Sequence, residues 1–295
     1  KTSNTVLAAG NILIKADLNA NGTYNVADVW GTTKTNGLAG WVPVGDISNP
    51  FAGTFTGGYV VYNLYINRPS SSYVGLFGVN TGAISQTAAI GNVSGLQYVG
   101  GLVGYNLGTL TNIYSLTNVT GSASSFFVGG LVGLNNGLIT NAYSAGLVQV
   151  GGGSTSSGAF VGLNNVSITG SYYDTSTSGS LPGVGTGSSS GLTGNATAAM
   201  KTQATFVGWD FTNIWQIIPG TTYPYFKFST YQPISPFFLT LTATGATAGG
   251  SVHVLKNGVD FKTFTADGSG NVVFTFDSGE VAANDNLIAF IPANT

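Results

Sequence analysis

One element recurs four times in this chain, and its spacing limits the folds that the chain can adopt. The element is Gly-x-Asn, preceded by Val or Phe, and its asparagines lie 26, 29 and 29 residues apart. These asparagines are Asn80, Asn106, Asn135 and Asn164, and the paired glycines are Gly78, Gly104, Gly133 and Gly162. Self-similarity at such a period indicates a repeat architecture, in which each unit buries its apolar face against its neighbours.

Each copy contains short strands separated by turns. Residues 99–115 and 128–144 are identical at twelve of seventeen positions, and both alternate Val, Leu and Ile with small residues before a Gly/Asn turn. Segments of three to six strand-forming residues between such turns exclude long helices. We therefore predict an all-β fold in which coils of 25–29 residues stack as a β-solenoid (a β-helix) with capped ends, with equivalent positions about 4.8 Å apart.

This stacking predicts a role for each repeated residue type. Valine, leucine and isoleucine fill the interior, and the glycines are expected at positive φ, where a Cβ would clash. The four asparagines are predicted to form a hydrogen-bonded ladder along the axis. Aromatic residues at equivalent positions are predicted to stack ring on ring: Tyr73, Tyr98 and Phe127 in one column, and Tyr114, Tyr143 and Tyr172 in another.

The charge pattern agrees with stacking. Charged residues make up 6 % of the chain, against about 25 % in ordinary domains. Residues 69–173 contain no Asp, Glu, Lys, Arg or His. Like charges repeated in every coil would lie opposite one another and destabilise the sheet. Mean hydropathy is +0.26 and the net charge is −2, which argues against disorder.

The changes in composition divide the chain into five segments. These are an N-terminal cap and first coils (1–72), the repeats (73–173), a C-terminal cap (174–229), a linker (230–237) and a small Ig-like β-sandwich (238–295). Trp30 and Trp41 mark the N-terminal cap, and Trp209 and Trp215 mark the C-terminal cap. The sandwich is predicted from about five alternating strands with Gly/Asn turns between them. The abrupt ending in Phe-Ile-Pro-Ala-Asn-Thr fits a fragment of a longer chain.

The element Gly-Leu-Val-Gly-x-Asn-x-Gly resembles the GLUG repeat of large secreted bacterial proteins, including filamentous-haemagglutinin-type adhesins and some secreted proteases. The flanks, from Trp41-Val-Pro-Val-Gly-Asp to Tyr223-Pro-Tyr, resemble the segments that surround those repeats, so the resemblance covers about residues 11–228. Two positions depart from the pattern: Thr56-Gly57-Gly58 replaces the usual tight turn, and Val166 stands where glycine is usual. The resemblance implies a secreted or surface-exposed β-helical stalk and names no ligand.

The residues predict no catalytic, cofactor-binding or metal-binding site. A P-loop needs a Gly-Lys-Ser/Thr element, and no lysine lies between Arg68 and Lys201. A β-helical glycosidase or lyase needs paired or clustered acids, and from residue 69 to 200 the chain has only Asp174. His253, the one histidine, is predicted to be an ordinary strand residue. The run Asp267-x-Ser269-x-Asn271 fits a hairpin turn better than a Ca²⁺ loop.

Three functions remain open on the sequence alone. The favoured one is a structural and adhesive segment of a secreted or cell-surface bacterial protein, whose partner is a surface protein or a glycan. The second is a subunit that assembles with copies of itself into an extracellular fibre or surface layer. A carbohydrate-active enzyme is disfavoured by the missing acids. No nucleic-acid partner is expected, because the eight basic residues are not clustered, and no transmembrane segment is expected, because Gly and Asn interrupt every apolar run.

Overall fold

The fold is that of a computed structural model, which describes residues 10–13, 39–56, 58–229, 232–233, 237–239, 250–265, 272, 274–276 and 287–291. The chain divides into two compact units, Lys1–Pro233 and Ile234–Thr295. The first unit is a parallel β-solenoid, and the second contains small antiparallel sheets. The predicted all-β solenoid is therefore confirmed. The predicted N-terminal cap falls mainly on residues 14–38, which lie outside the described residues.

Two parallel sheets form the body of the solenoid. The shorter one contains a strand from each of five successive coils: β4 (Phe77–Asn80), β6 (Val103–Asn106), β8 (Val132–Asn135), β12 (Val161–Asn164) and β15 (Val184–Gly187). The larger sheet wraps around the remainder of each coil: β1 (Gly10–Leu13), β2 (Thr54–Phe55), β3 (Tyr59–Val74), β5 (Ala83–Gly100), β7 (Thr109–Gly129), β9 (Leu138–Ser144), β10 (Val148–Val150), β11 (Thr155–Gly158), β13 (Ile168–Thr169), β14 (Ser171–Asp174) and β16 (Leu192–Asn195).

The register aligns identical residues of successive coils. Val103 pairs with Val132, which pairs with Val161. These valines and the aliphatic residues of the larger sheet form one continuous interior, in which most members are less than 5 % exposed. The coils above and below each column of this interior help to bury it, as expected for a repeat architecture.

The solenoid extends further in both directions than the repeats suggest. On the N-terminal side, Val44 pairs with Phe77, and Phe51 pairs with Asn80, so residues 44–55 belong to the same coil as β3. The coil of residues 42–74 is called the first coil below; β1 pairs with β3 on its N-terminal side. On the C-terminal side, β15 and β16 continue the parallel pairing to Asn195. The predicted boundary at residue 173 therefore falls inside the last coils, because backbone pairing continues where the sequence pattern has already been lost.

The corners of the coils are not built as the sequence suggested. The repeated glycines Gly78, Gly104, Gly133 and Gly162 do not have positive φ. Two other columns occupy the left-handed region, and both consist mainly of larger residues. One contains Gln86, Asn112, Asn141 and Gly170 (φ 47–53°), and the other Tyr73, Tyr98, Phe127 and Ser156 (φ 54–60°). Non-glycine residues in this region are strained, and asparagine tolerates it best.

Glycine is required in the Gly-x-Asn element because neighbouring coils approach closely there. A Cβ on Gly104 would lie 2.7 Å from the carbonyl oxygen of Gly78, and one on Gly133 would lie 2.6 Å from that of Gly104. The same close approach occurs after the asparagine, where a Cβ on Gly108 would lie 2.0 Å from the carbonyl oxygen of Gly82. The prediction that these glycines adopt positive φ is therefore wrong.

The segment after the last coil lies along the flank of the solenoid. It contains α1 (Thr197–Met200), a 3₁₀ turn (Gln203–Thr205) and the hairpin of β17 (Trp215–Gln216) and β18 (Tyr225–Phe226). Its buried aromatic residues pack on one column that crosses five successive coils: Val60, Ala88, Tyr114, Tyr143 and Tyr172. The sequence predicts that residues 174–229 cap the C-terminal end of the solenoid. From residue 196 onward, this segment instead mainly covers the side of the solenoid.

The second unit contains antiparallel strands. β19 (Phe237–Leu239) pairs with β22 (Phe274–Phe276), and β20 (Ser251–Lys256) lies between β21 (Val259–Thr265) and β23 (Leu287–Phe290). Val252, Val254 and Val272 form its buried cluster. The packing of these sheets into an Ig-like sandwich stays a prediction.

Candidate functional site on the solenoid surface

The four repeat asparagines form a continuous interior ladder. The Nδ2 of Asn80 donates to the Oδ1 of Asn106, that of Asn106 to Asn135, and that of Asn135 to Asn164, each over 2.8 Å. At the C-terminal end, the Nδ2 of Asn164 donates to the carbonyl oxygen of Ser188 over 2.6 Å. All four side chains are 0–1 % exposed. A ladder of neutral amides thus occupies a place where a charge would be buried without a counterion.

Each rung also closes its own turn. The Oδ1 of Asn106 accepts a hydrogen bond from the backbone N–H of Gly108 (3.3 Å), and its Nδ2 donates to the carbonyl oxygen of Gly108 (3.3 Å). Asn80 makes the same pair of contacts with Gly82. The amide of Asn106 therefore uses both donors and both acceptor sites, and it satisfies the polar groups of its own turn. The ladder holds the coils in register and offers no free group for chemistry.

The flank segment is tied to the solenoid by specific polar contacts. The Nε1 of Trp209 donates to the carbonyl oxygen of Gly170 (2.8 Å), and the hydroxyl of Tyr143 donates to that of Pro224 (2.7 Å). Trp215 is fully buried against Tyr114, with ring centroids 6.1 Å apart. Tyr114 and Tyr143 stack at 4.9 Å with an interplanar angle of 8°. This aromatic column is therefore core and is not available to a ligand.

Asp174 belongs to the same junction. Its side chain is fully buried and accepts hydrogen bonds from the hydroxyls of Tyr223 (2.5 Å) and Thr197 (2.7 Å) and from the backbone N–H of Ser176 (2.7 Å). Burial lowers the pKa of the nearby Lys201 ammonium, and the negative charge of Asp174 opposes that shift. The carboxylate thus joins the last coil to the flank segment, a role that the sequence did not reveal.

A row of hydroxyls runs along the face formed by β5, β7 and β9. Ser85 pairs with Thr111, Thr111 with Thr140, and Thr140 with Thr169. The Oγ of Ser85 donates to the Oγ1 of Thr56 over 2.8 Å. A shallow groove of about 590 Å³ runs beside this row, with a floor of glycines and the exposed Leu107 and Leu138 in its lining. This face is uncharged over its whole described length.

The second aromatic column lies at a corner and remains half-exposed. Tyr73 and Tyr98 stack at 4.7 Å with an interplanar angle of 3°, Tyr98 and Phe127 follow at 5.3 Å, and Tyr105 lies beside the first two rings. Burial, with smaller contributions from Tyr98 and Tyr105, raises the pKa of Tyr73, so its phenol is neutral at ordinary pH. Among the described residues, the stack ends on Tyr73 in the first coil.

A cavity of about 520 Å³ adjoins that terminal ring. The described residues that line it lie within 42–49 and 68–74 of the first coil and include Asp46, Arg68 and Tyr73. Backbone N–H groups of Asn49 and Ser48 donate to Asp46 and lower its pKa. Arg68 donates through Nε to the carbonyl oxygen of Trp41 (3.0 Å) and through Nη2 to that of Gly40 (3.4 Å). Sequence reasoning missed this site, although Arg68 is the last charge before the uncharged stretch.

In the second unit, His253 is about three-quarters buried and lies on β20. Its Nδ1 is 3.0 Å from the Oδ2 of Asp260 and 3.4 Å from the Oγ1 of Thr263. In a Ser-His-Asp triad the acid and the nucleophile face different ring nitrogens. Here both partners face the same nitrogen, so the cluster is not a triad. The run 267–271 lies outside the described residues.

Metal-binding clusters and membrane-spanning helices are both absent from the described ranges. Within those ranges, no group of three or more His, Cys, Asp or Glu side chains lies close enough together to hold a metal ion. Among the same residues, no helix has the length and apolar character needed to cross a bilayer.

Comparison with known proteins adds one partial similarity. Over 84 residues the chain is 36 % identical to a protein of Evansella cellulosilytica named as a Gly-rich membrane protein. The match covers 26 % of this chain and 10 % of that protein, so the chain spans about a tenth of the length of the relative it matches. No protein-family model and no solved structure matches the chain.

Proposed function

We propose that this chain is a structural and adhesive segment of a bacterial protein that is secreted or displayed at the cell surface. One observation carries the proposal: stacked coils run in register along the first unit, and residues 69–173 of that stack contain no charged side chain. Such a stack is stiff because every coil is bonded to its neighbours by backbone ladders and, at one corner, by the buried asparagine ladder.

The surface supports attachment rather than catalysis. Across residues 39–195 the described acids are Asp46 in the first coil and Asp174 near the last, so they lie at opposite ends of the stack. Two acids that flank one glycosidic bond must lie within about 10 Å of each other. The uncharged hydroxyl row and the half-exposed rings suit contacts that salt does not screen. We therefore propose that the chain is not an enzyme.

The proposal also draws on similarity. The resemblance to GLUG repeats supports a secreted or surface-exposed protein, and the partial match is to a bacterial protein named as a Gly-rich membrane protein. Under this proposal the chain acts as a stiff spacer whose sides touch a surface protein or a glycan.

Coated beads test the adhesive role. Beads bearing the full 295-residue chain are applied to bacterial and animal cell layers at low and high salt, beside beads bearing a globular protein of the same net charge. We expect more attachment of the chain-coated beads at both salt concentrations. Attachment no greater than the control, or attachment abolished by salt, contradicts the proposal, because uncharged faces are not screened.

A second candidate function, assembly into a fibre, is favoured by the end of the stack. β16 pairs with β14 on one side, and its Thr193 and Gly194 are exposed. An edge strand of this kind is a template for pairing with another chain. Light scattering over a wide concentration range tests this candidate: growing particles support it, and a monomer at the highest concentration contradicts it.

A further inference from the structure

We propose that the cavity at the N-terminal end of the Tyr73–Tyr98–Phe127 stack binds a neutral carbohydrate, with one sugar ring packed on Tyr73. The inference rests on the proposed adhesive function and names the ligand class and the place of attachment. Three features carry it: the ring stack, the two charges in the lining and the size of the cavity.

The ring stack ends at the cavity. Tyr98 lies between Tyr73 and Phe127, so its neighbours cover it on both sides along the axis. Among the described residues, Tyr73 stacks only on its C-terminal side, and those that line the cavity with it belong to its own coil. A flat ligand with apolar C–H groups on one face extends such a stack by one member. The apolar face of a pyranose has this shape, and aromatic rings supply large, rigid contact area.

The lining of the cavity carries two opposite charges. It contains Asp46 and Arg68, the two charged residues of the described first coil, and no ion pair joins them in the part of the chain that the structure describes. The Oδ1 of Asp46 accepts two backbone N–H groups, which orient the carboxylate. A guanidinium has five N–H donors, and Arg68 uses two of its N–H groups on backbone carbonyls.

These groups select a neutral ligand with many hydroxyls. A hydroxyl donates to a carboxylate and also accepts from a guanidinium, so vicinal hydroxyls satisfy both charges at once. An anionic ligand would be repelled by Asp46, and a cationic ligand by Arg68. Val42 and Ile47, which are 65 % and 57 % exposed, add apolar area beside the polar groups. The mixture of one ring, two opposite charges and aliphatic edges fits a sugar better than an ion.

The size of the cavity also suits a small sugar. A volume of about 520 Å³ falls within the range of roughly 300–1,000 Å³ that small-molecule sites occupy. The larger groove of about 590 Å³ on the hydroxyl face contains neither a charged nor an aromatic side chain. That groove lacks both an aromatic ring on which a sugar could pack and charged groups that could bind its hydroxyls. The cavity at Tyr73 is therefore the better candidate for a sugar site.

The test uses the full chain and an array of neutral oligosaccharides built from glucose, galactose, mannose and N-acetylhexosamines, with sialylated and sulfated glycans as the charged arm. Binding to the best neutral glycan is then measured by calorimetry for Tyr73→Leu, Tyr73→Phe and Asp46→Asn. The matched control is Phe127→Leu, because Phe127 has the same corner position and nearly the same φ as Tyr73 but does not line the cavity.

We expect Tyr73→Leu to weaken binding about tenfold or more, since it removes the aromatic platform. Tyr73→Phe and Phe127→Leu should bind as the unaltered chain does. Asp46→Asn keeps an acceptor for the backbone N–H groups but removes the charge, so it should weaken binding about tenfold. Circular dichroism confirms that each variant is folded before binding is compared.

Three results of the binding measurements overturn the inference: no neutral glycan binds, anionic glycans alone bind, or Tyr73→Leu and Phe127→Leu weaken binding equally. The last result would show that the stack matters only for folding. None of these results contradicts the proposed adhesive role of the chain, because that role is tested separately by bead attachment. If beads attach equally with the unaltered chain and with Tyr73→Leu, the stalk proposal stands and this site is excluded.

Discussion

Replacing Asn106 by alanine should weaken the solenoid more than its small volume suggests. Asn106 is an inner rung of the ladder, and its side chain makes four hydrogen bonds: one from Asn80, one to Asn135 and two with its own turn at Gly108. At about 1 kcal/mol of net stability for each bond, the loss is about 4 kcal/mol. The amide donor of Asn80 is then left buried without its partner, which adds to the penalty.

Two further variants separate the ladder from the turn. Asn80 is the first rung and makes one ladder bond and two turn bonds, so Asn80→Ala should cost about 1 kcal/mol less than Asn106→Ala. Asn92 lies on the exposed exterior, where its amide oxygen accepts one long contact (3.4 Å) from Asn118. Asn92→Ala should therefore change stability by less than about 0.5 kcal/mol.

Guanidinium unfolding followed by circular dichroism and by tryptophan fluorescence provides the measurement. The shift in midpoint at constant slope gives the change in stability. Coincident transitions from the two probes are needed, because repeat arrays can unfold in parts. If Asn106→Ala shifts the midpoint no more than Asn92→Ala does, the ladder does not stabilise the stack and the reasoning is refuted.

Three other changes test the close packing, the flank segment and one carboxylate. Gly108→Ala places a Cβ 2.0 Å from the carbonyl oxygen of Gly82 and should destabilise the folded protein by about 2 kcal/mol or more. In the control Gly152→Ala, the added Cβ meets no atom within 4 Å, so the same unfolding assay should show almost no change. Trp215→Ala removes a fully buried ring between the solenoid and the flank segment and should lower the free energy of unfolding by about 3–5 kcal/mol. The control Val207→Ala, at a side chain that is 76 % exposed, should lower it by less than about 0.5 kcal/mol. Equal effects of the two changes would disprove the packing argument. Hydrogen bonds from the side chain and backbone of Asn213 lower the pKa of Asp210. These bonds therefore stabilise the turn fully above the pKa of an unfolded aspartate, about 3.9. The stabilisation is lost as the pH falls through the lower pKa of the folded state. An NMR titration of the Asp210 carboxyl should show that lowered pKa, and Asn213→Ala should raise it; an unchanged pKa in the variant would contradict this cause.

The candidate binding site shows where sequence reasoning ends. In the sequence, an aromatic residue recurs at equivalent positions of successive coils, as Tyr73, Tyr98 and Phe127. The stacking of these rings follows from the repeat. The cavity beside it has no periodic signal, because Asp46 and Arg68 each occur once and lie 22 residues apart along the chain. Only the closing of the first coil brings the two side chains to the same cavity as Tyr73.

The sequence by itself determined the architecture of the first unit. An asparagine and a glycine repeated every 26 to 29 residues, in a stretch without charge, predict stacked coils, because stacking buries equivalent apolar positions against one another. Register follows from the same pattern, because a shift of one residue would move every interior Val and Leu to the outside.

Only the tertiary structure decided what the repeated residues do in space. The glycines are needed for close approach between coils, and Gln, Asn, Tyr and Phe occupy the left-handed corners instead. The column of Tyr114, Tyr143 and Tyr172 is core because the segment after residue 195 folds back over it. Trp215 of that segment lies against Tyr114, about a hundred residues earlier in the chain. Periodicity records which positions are equivalent, but the distance between coils and the covering of a face depend on contacts far apart in sequence.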